Sequence, residues 1–274
     1  MEPQQPQASQ VPQEPRPPQP PQAARAAREP RLEHRVADGV ATVVISNPAK
    51  RNAMTADMWR AVPELLAELA ADRDVRALVL TGDGDTFCAG ADISALRRPD
   101  DRQQSLAVRA EEALAAFPRP TLAAVRGYCV GGGCQLAAAC DLRFAEAGAR
   151  FGVTPAKLGI VYPASSTRRL ASLVGPATAK YLLFSAELID DERALRTGLV
   201  DELLPAGGLD ERVAAFLRVL TSRSLLTQAA AKEYADGRTG REEHWAEQAR
   251  TSGDRAEGVA AFLERREPRF TYRG

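Results

Sequence analysis

Gly127-Tyr128-Cys129-Val130-Gly131-Gly132-Gly133-Cys134-Gln135 decides how this chain folds. It follows Thr121–Val125, a short apolar run that reads as a buried strand, and leads into an Ala/Leu-rich stretch, residues 135–140, that reads as a helix. A strand, a glycine turn and a helix N-terminus leave free backbone N–H groups facing an anion. The phosphate-binding versions of this arrangement do not fit. No Gly-Lys-Ser/Thr ends the turn, and Gly127-x3-Gly131 lacks the dinucleotide spacing. A second glycine-bearing segment, Phe87-Cys88-Ala89-Gly90-Ala91-Asp92-Ile93, follows another apolar run at residues 75–81.

Working outward, residues 40–45 form a β-branched strand ended by Asn47-Pro48. Thr55 has the character of an N-cap for a helix to about Ala71, with Pro63 expected to kink it. Gly82-Asp83-Gly84-Asp85 turns the chain, and a helix is expected over residues 105–117. The strands at 75–81 and 121–125 are too apolar to have a wet face, which in alternation with helices indicates parallel pairing in an α/β fold. The C-terminal third reads as helices at 177–184, 191–197, 210–221, 225–235, 242–252 and 255–265, with one apolar run at 199–204. The expected organisation is a tail at 1–30, a core at 31–205 and a helical region at 206–274 that belongs to the same fold. Globular texture begins at residue 36.

Composition narrows the chemistry. The 274 residues carry 36 basic and 36 acidic side chains, a zero balance that argues against DNA or an anionic membrane as a whole-surface partner. The only two histidines, His34 and His244, lie near opposite ends of the sequence, so a histidine triad or metal site is not expected. Cys88, Cys129, Cys134 and Cys140 form no paired C-x2-C steps and read as small buried apolar residues in a reducing compartment. No apolar run approaches the ~20 residues needed to span a bilayer, and no signal-peptide core is visible. A cytoplasmic location is the expectation. Residues 1–30 hold nine of the 19 prolines and seven glutamines, a composition expected to be disordered with polyproline II character. Pro15, Pro17, Pro18, Pro20 and Pro21 give PxxP spacings, but the segment is read as an extension outside the fold.

The two glycine segments together resemble the crotonase (enoyl-CoA hydratase/isomerase) family. The resemblance covers roughly residues 36–270 and includes Asn47-Pro48-Ala49-Lys50-Arg51-Asn52-Ala53-Met54, Cys140-Asp141, Phe151-Gly152, Leu158-Gly159-Ile160 and Ala194-Leu195-Arg196-Thr197-Gly198-Leu199-Val200. It implies a spiral of ββα units with a C-terminal helical oligomerisation region, and an acyl-CoA thioester as substrate. Coenzyme A then arrives with the substrate, and no separate cofactor or metal is implied. The family stabilises an enolate-like oxygen with two backbone N–H groups, which by position are those of Ala91 and Gly132. Lys50, Arg51 and Ala53 resemble the loop along the coenzyme A arm, and Ala89, Asp92, Ile93, Tyr128, Gly131 and Pro155 fall at substrate-lining positions. Asp92 is expected to cap a helix rather than to catalyse. Assembly as a trimer, or a dimer of trimers, is implied, with the faces of the helices at 225–235 and 242–252 between subunits.

The departures lie in the acid–base groups. Counted from the family motif, the two hydratase glutamates fall on Gln135 and Pro155, neither of which exchanges a proton near neutral pH. Thr154-Pro155-Ala156-Lys157-Leu158-Gly159-Ile160-Val161-Tyr162 resembles methylmalonyl-CoA decarboxylase-like members, although Ala91 stands where that pattern has a histidine. Decarboxylation needs no base, because loss of CO2 itself generates the enolate. On that reading Tyr162 orients the carboxylate or protonates the enolate, and Gln135 hydrogen-bonds the carboxylate or a water. Glu111 and Glu112 are candidate replacement acids, but read as a solvated or interface face. Hydration with an unusual acid, and acyl-CoA or macromolecule binding without catalysis, are the alternatives.

Overall fold

The computed structural model describes residues 29–92 and 101–274, without the side chains of 101–103. The polyproline II and PxxP readings, and Ile93, lie outside the described residues. A six-stranded sheet is built from β1 (Arg31–Ala37), β2 (Val40–Ser46), β3 (Ala77–Gly82), β4 (Thr121–Val125), β6 (Leu142–Glu146) and β9 (Glu202–Leu204), paired in that order. All its pairings are parallel except β1 with β2. A smaller sheet joins β5 (Tyr128–Val130), β7 (Arg150–Gly152) and β8 (Ile189–Asp190).

Strand alternation explains the continuous apolar runs. Leu78, Leu80, Ala123 and Val125 point into the main core, while Ala77, Val79, Leu122 and Ala124 point the other way. The main core is closed by α1 (Ala56–Ala71), α2 (Asp101–Ala115), α3 (Gly132–Ala139) and α4 (Ala164–Ser185). The opposite face is covered by α6 (Leu209–Ser222), through Leu209, Val213 and Leu217. With both faces covered, the central strands β3 and β4 need no polar side.

Several boundaries differ from the sequence expectation. The first strand, β1, starts five residues before the apolar texture, because this antiparallel edge strand leaves His34 to Ala37 exposed and so carries polar residues. The Thr55 side chain accepts from the Met58 amide as an N-cap, and α1 continues through Pro63 as one helix to Ala71. The helix expected at 177–184 is the second half of α4, which breaks at Gly175 (φ 75°, ψ 159°), just before Pro176. The remaining helices are α5 (Asp191–Arg196), α7 (Leu225–Ala235), α8 (Glu242–Thr251) and α9 (Asp254–Glu264). Among the described residues, no helix is long and apolar enough to cross a membrane.

Candidate active site

The two glycine segments meet where the smaller sheet begins. Cys88 pairs with Cys129 and Met54 with Ala91 as isolated parallel bridges. In the second bridge the Met54 amide donates to the Gly90 carbonyl and the Asp92 amide to the Met54 carbonyl, both at 2.8 Å. A parallel bridge of this kind turns the Ala91 N–H to the other side, toward the start of α3. There Gly131 occupies φ 55°, ψ −119°, a conformation only glycine adopts easily, and Gly132 is the first helical residue. An ideal Cβ on Gly90 would lie 3.4 Å from the Gly132 nitrogen, and one on Gly132 would lie 3.6 Å from the Ala91 nitrogen. Two backbone amides without backbone acceptors among the described residues therefore converge beside the positive end of α3. Such a pair can hold the oxygen of a polarised carbonyl.

The walls are now definable. Trp59 on α1 lies beneath Gly132, with its Cζ2 2.8 Å from where a Cβ would be. Trp59 is fully buried, and its Nε1 is the one buried side-chain polar atom without a partner among the described residues. The Thr154 hydroxyl stands 3.7 Å from the corresponding Cβ position on Gly131, with Pro155 next to it opening a 3-10 turn. Trp59 was not recognisable beforehand, since a tryptophan at helical spacing reads as core, and Thr154 was singled out only as part of the Thr154–Tyr162 stretch. Lys50 Nζ reaches Asp92 Oδ2 at 2.7 Å, so Asp92 takes part in an ion pair rather than standing only as a cap. The Arg51 guanidinium lies 5.0 Å from the centre of the half-exposed Tyr128 ring, and the Arg51 carbonyl accepts from the Ala89 amide. Ala53 is buried, its carbonyl accepting from the Asn47 side chain.

Gln135 lies one turn into α3 and is embedded in a polar cluster. Its Nε2 is 2.6 Å from Glu111 Oε2 and 3.0 Å from Ser166 Oγ. Ser166 also donates to Glu111, and Arg169 pairs with the other Glu111 oxygen. Glu111 is 1% exposed within the chain itself, which corrects its reading as part of a solvated or interface face. The α2 stripe bearing it faces α3 and α4, and Arg169 supplies the compensating charge. Glu112, half-exposed on the next face, meets Arg169 at 3.4 Å. Tyr162 packs against the core beside this cluster. Burial, then Cys134 and Glu111, push its hydroxyl well above the ordinary tyrosine value. His34 and His244 are both exposed, on β1 and α8.

A mostly parallel sheet that feeds glycine turns into paired amides defines an α/β fold with a backbone anion-binding pair. Residues 35–273 match the enoyl-CoA hydratase/isomerase family model, and the chain belongs to that family. It is 34% identical over 246 residues to the crotonyl-CoA hydratase of Syntrophomonas wolfei, covering 84% of this chain and 94% of that one. It is 32% identical over 248 residues to the (E)-benzylidenesuccinyl-CoA hydratase of Thauera aromatica, covering 86% and 96%. Among solved structures, an enoyl-CoA hydratase/isomerase family member superposes with a TM-score of 0.83 at 41% identity, over 90% of this chain and all of the other. The enoyl-CoA hydratase of Bacillus anthracis gives 0.82 at 27% identity, over 87% and 98%.

Proposed function

We propose that this acyl-CoA enzyme stabilises a thioester enolate between the amides of Ala91 and Gly132, and that its reaction is decarboxylation of a malonyl-type acyl-CoA. The observation that carries the reading is the state of the acid–base positions. Gln135 and Pro155 stand where the family's hydratases use glutamates, and the adjacent carboxylate, Glu111, is internally neutralised by Arg169. In decarboxylation the electrons of the breaking C–C bond move to the thioester oxygen, and CO2 leaves. The enolate then takes a proton at the α-carbon from Tyr162 or water. Only the charge that develops on the oxygen needs the amide pair, so stabilisation is concentrated in the transition state.

Lys50, Arg51, Ala53 and Tyr128 form the proposed wall for the coenzyme A arm. Ala89, Asp92, Gly131 and Pro155 line the thioester end. Self-association as a trimer or a dimer of trimers is part of the same proposal, supported by Val259, Phe262 and Leu263, which lie exposed on α9.

Hydration is the second reading, favoured by the names of the relatives and by the buried carboxylate 2.6 Å from Gln135. A mass-spectrometric turnover screen separates the two. Release of CO2 from methylmalonyl-CoA or ethylmalonyl-CoA without hydration of crotonyl-CoA is the expected result. Hydration that survives Tyr162→Phe and is lost in Glu111→Gln would replace it, and coenzyme A binding without turnover on either set would indicate a binding protein.

A further inference from the structure

We propose that Asn52 and Trp59 are positioning residues that together set the direction and spacing of the Ala91 and Gly132 amides. The inference rests on the proposed role of that pair at the thioester oxygen, and not on which reaction follows. Each donor's direction is fixed by the carbonyl of its own peptide, because C=O and N–H point opposite ways across a trans peptide bond. The Gly131 carbonyl accepts from the Gln135 amide at 3.0 Å, so the Gly132 N–H faces away from that bond. The Gly90 carbonyl accepts from the Met54 amide at 2.8 Å, so the Ala91 N–H faces away from Met54. The first of these bonds belongs to the opening turn of α3. The second depends on how the loop carrying Met54 is held.

Asn52 holds it. It sits at φ 58°, a left-handed conformation that asparagine adopts more readily than most side chains. Its Oδ1 accepts from the Asn47 amide at 3.0 Å, and its Nδ2 donates to the carbonyls of Asp83 at 2.9 Å and Thr86 at 2.6 Å. Asp83 to Thr86 runs directly into the first glycine segment, so Asn52 ties the Met54 loop to the stretch of chain that carries Ala91. From Met54 the chain passes through the Thr55 cap into α1, where the Trp59 amide donates to the Thr55 carbonyl at 3.0 Å. The six-membered ring of Trp59 occupies the place of a side chain on residue 132. Its Cζ2 and Cη2 lie 2.8 and 3.1 Å from an ideal Cβ there, and the Ala91 nitrogen lies 3.6 Å from the same point. Asn52, Met54 and Trp59 are all buried, and the one segment reaches both donors, through hydrogen bonds at Met54 and by contact at Trp59. An indole is costly as a mere core filler here. Its Nε1 is buried without a partner among the described residues, a cost that phenylalanine would avoid. A phenyl ring, however, lacks the second ring that reaches Gly132.

The test uses the full chain with acetoacetyl-CoA as the probe. Its α-carbon loses a proton to solvent, and the resulting enolate carries its charge on oxygen and absorbs in the near ultraviolet. Being an equilibrium, this ionisation needs no base from the protein. In the wild type the bound enolate-to-keto ratio at pH 8 should exceed that of free acetoacetyl-CoA. Trp59→Phe and Asn52→Gly, the latter keeping the left-handed backbone, should each lower the bound ratio about tenfold or more, as when one oxyanion donor is displaced. The Kd of coenzyme A itself should not change in Trp59→Phe. Gly132→Ala should lower the ratio too, and the double variant Trp59→Phe/Gly132→Ala, whose methyl takes the vacated space, should recover most of the loss. An unaltered ratio in either single variant would overturn the assignment of that residue, whatever its melting temperature, because a purely structural role lowers stability without changing the ratio in folded protein. Losses that simply add in the double variant would likewise overturn the role of Trp59. A wild-type ratio no higher than in free solution would overturn the amide-pair reading and this proposal with it.

Discussion

Gly132 and Gly133 are adjacent, yet a methyl group on each would do different damage. On Gly132 it would press the edge of the Trp59 ring at 2.8 Å, which the start of α3 can relieve by shifting. That shift moves one amide of the proposed oxyanion pair. Gly132→Ala is therefore expected to lower kcat by about 100-fold, the ~2.7–4 kcal/mol of one oxyanion donor, with a nearly unchanged melting temperature. On Gly133 the methyl would sit 2.3 Å from the Cys88 carbonyl oxygen, a backbone atom that also accepts from Val130. Gly133→Ala should instead destabilise the fold by about 1–3 kcal/mol, seen as a lower urea midpoint. Tyr162 carries the pH prediction at this scale. Its raised pKa keeps the hydroxyl neutral at physiological pH, and the proton is lost only above pH 10. A kcat profile should therefore show no basic limb from Tyr162 below pH 10, and a limb near pH 8 that disappears in Tyr162→Phe would contradict this.

The helices and strands that carry the site were legible in the sequence to unequal degrees. β4 begins and ends where its apolar run does, and α7 where its helical pattern does, because each is bounded by a turn residue or a cap. The first half of α4 was not legible, because Ser165-Ser166-Thr167-Arg168-Arg169 looks like a polar linker. Those residues are polar because Ser166 and Arg169 face the buried carboxylate of Glu111, so tertiary pairing accounts for the pattern. β6 was hidden for a similar reason. Arg143 interrupts its apolar run, yet it is 2% exposed and donates to the carbonyls of Cys140, Asp141 and Leu199 and to Asp201. This one side chain closes the connection between β6 and β9. Arg143→Met should cost about 3–5 kcal/mol, measurable by chemical denaturation, because several acceptors lose their donor together. Truncation on the opposite face acts through packing: Leu209→Ala on α6 is expected to cost about 2–5 kcal/mol.

For the molecule as a whole, the Ala91 and Gly132 positions came from the resemblance to the family, and the structure brings the two segments that bear them together. Much of the surroundings was not legible in the sequence, since Trp59 comes from α1, Thr154 from the turn before Pro155, and Ser166 and Arg169 from the first half of α4. The helices α7 and α8 direct Leu226, Ala229 and Trp245 at one another, so the faces expected between subunits are buried within the chain, while Val259, Phe262 and Leu263 form an apolar stripe on α9. Light scattering at micromolar concentration should give three or six chain masses, and Phe262→Glu should lower that number; a monodisperse monomer would refute the assembly. The four cysteines have a use beyond filling space. Cys88 and Cys129 bridge the two glycine segments, Cys134 lies on the helix they lead to, and all four thiols are buried and unoxidised. Burial raises Cys88 and Cys140 to about 12, so at pH 8 almost no thiolate exists while the layer is closed. Alkylation at pH 8 should then proceed only through openings of this layer, at a rate that a bound acyl-CoA slows. The native protein thus contains its own clock for breathing where the two glycine segments join, read by counting adducts against time.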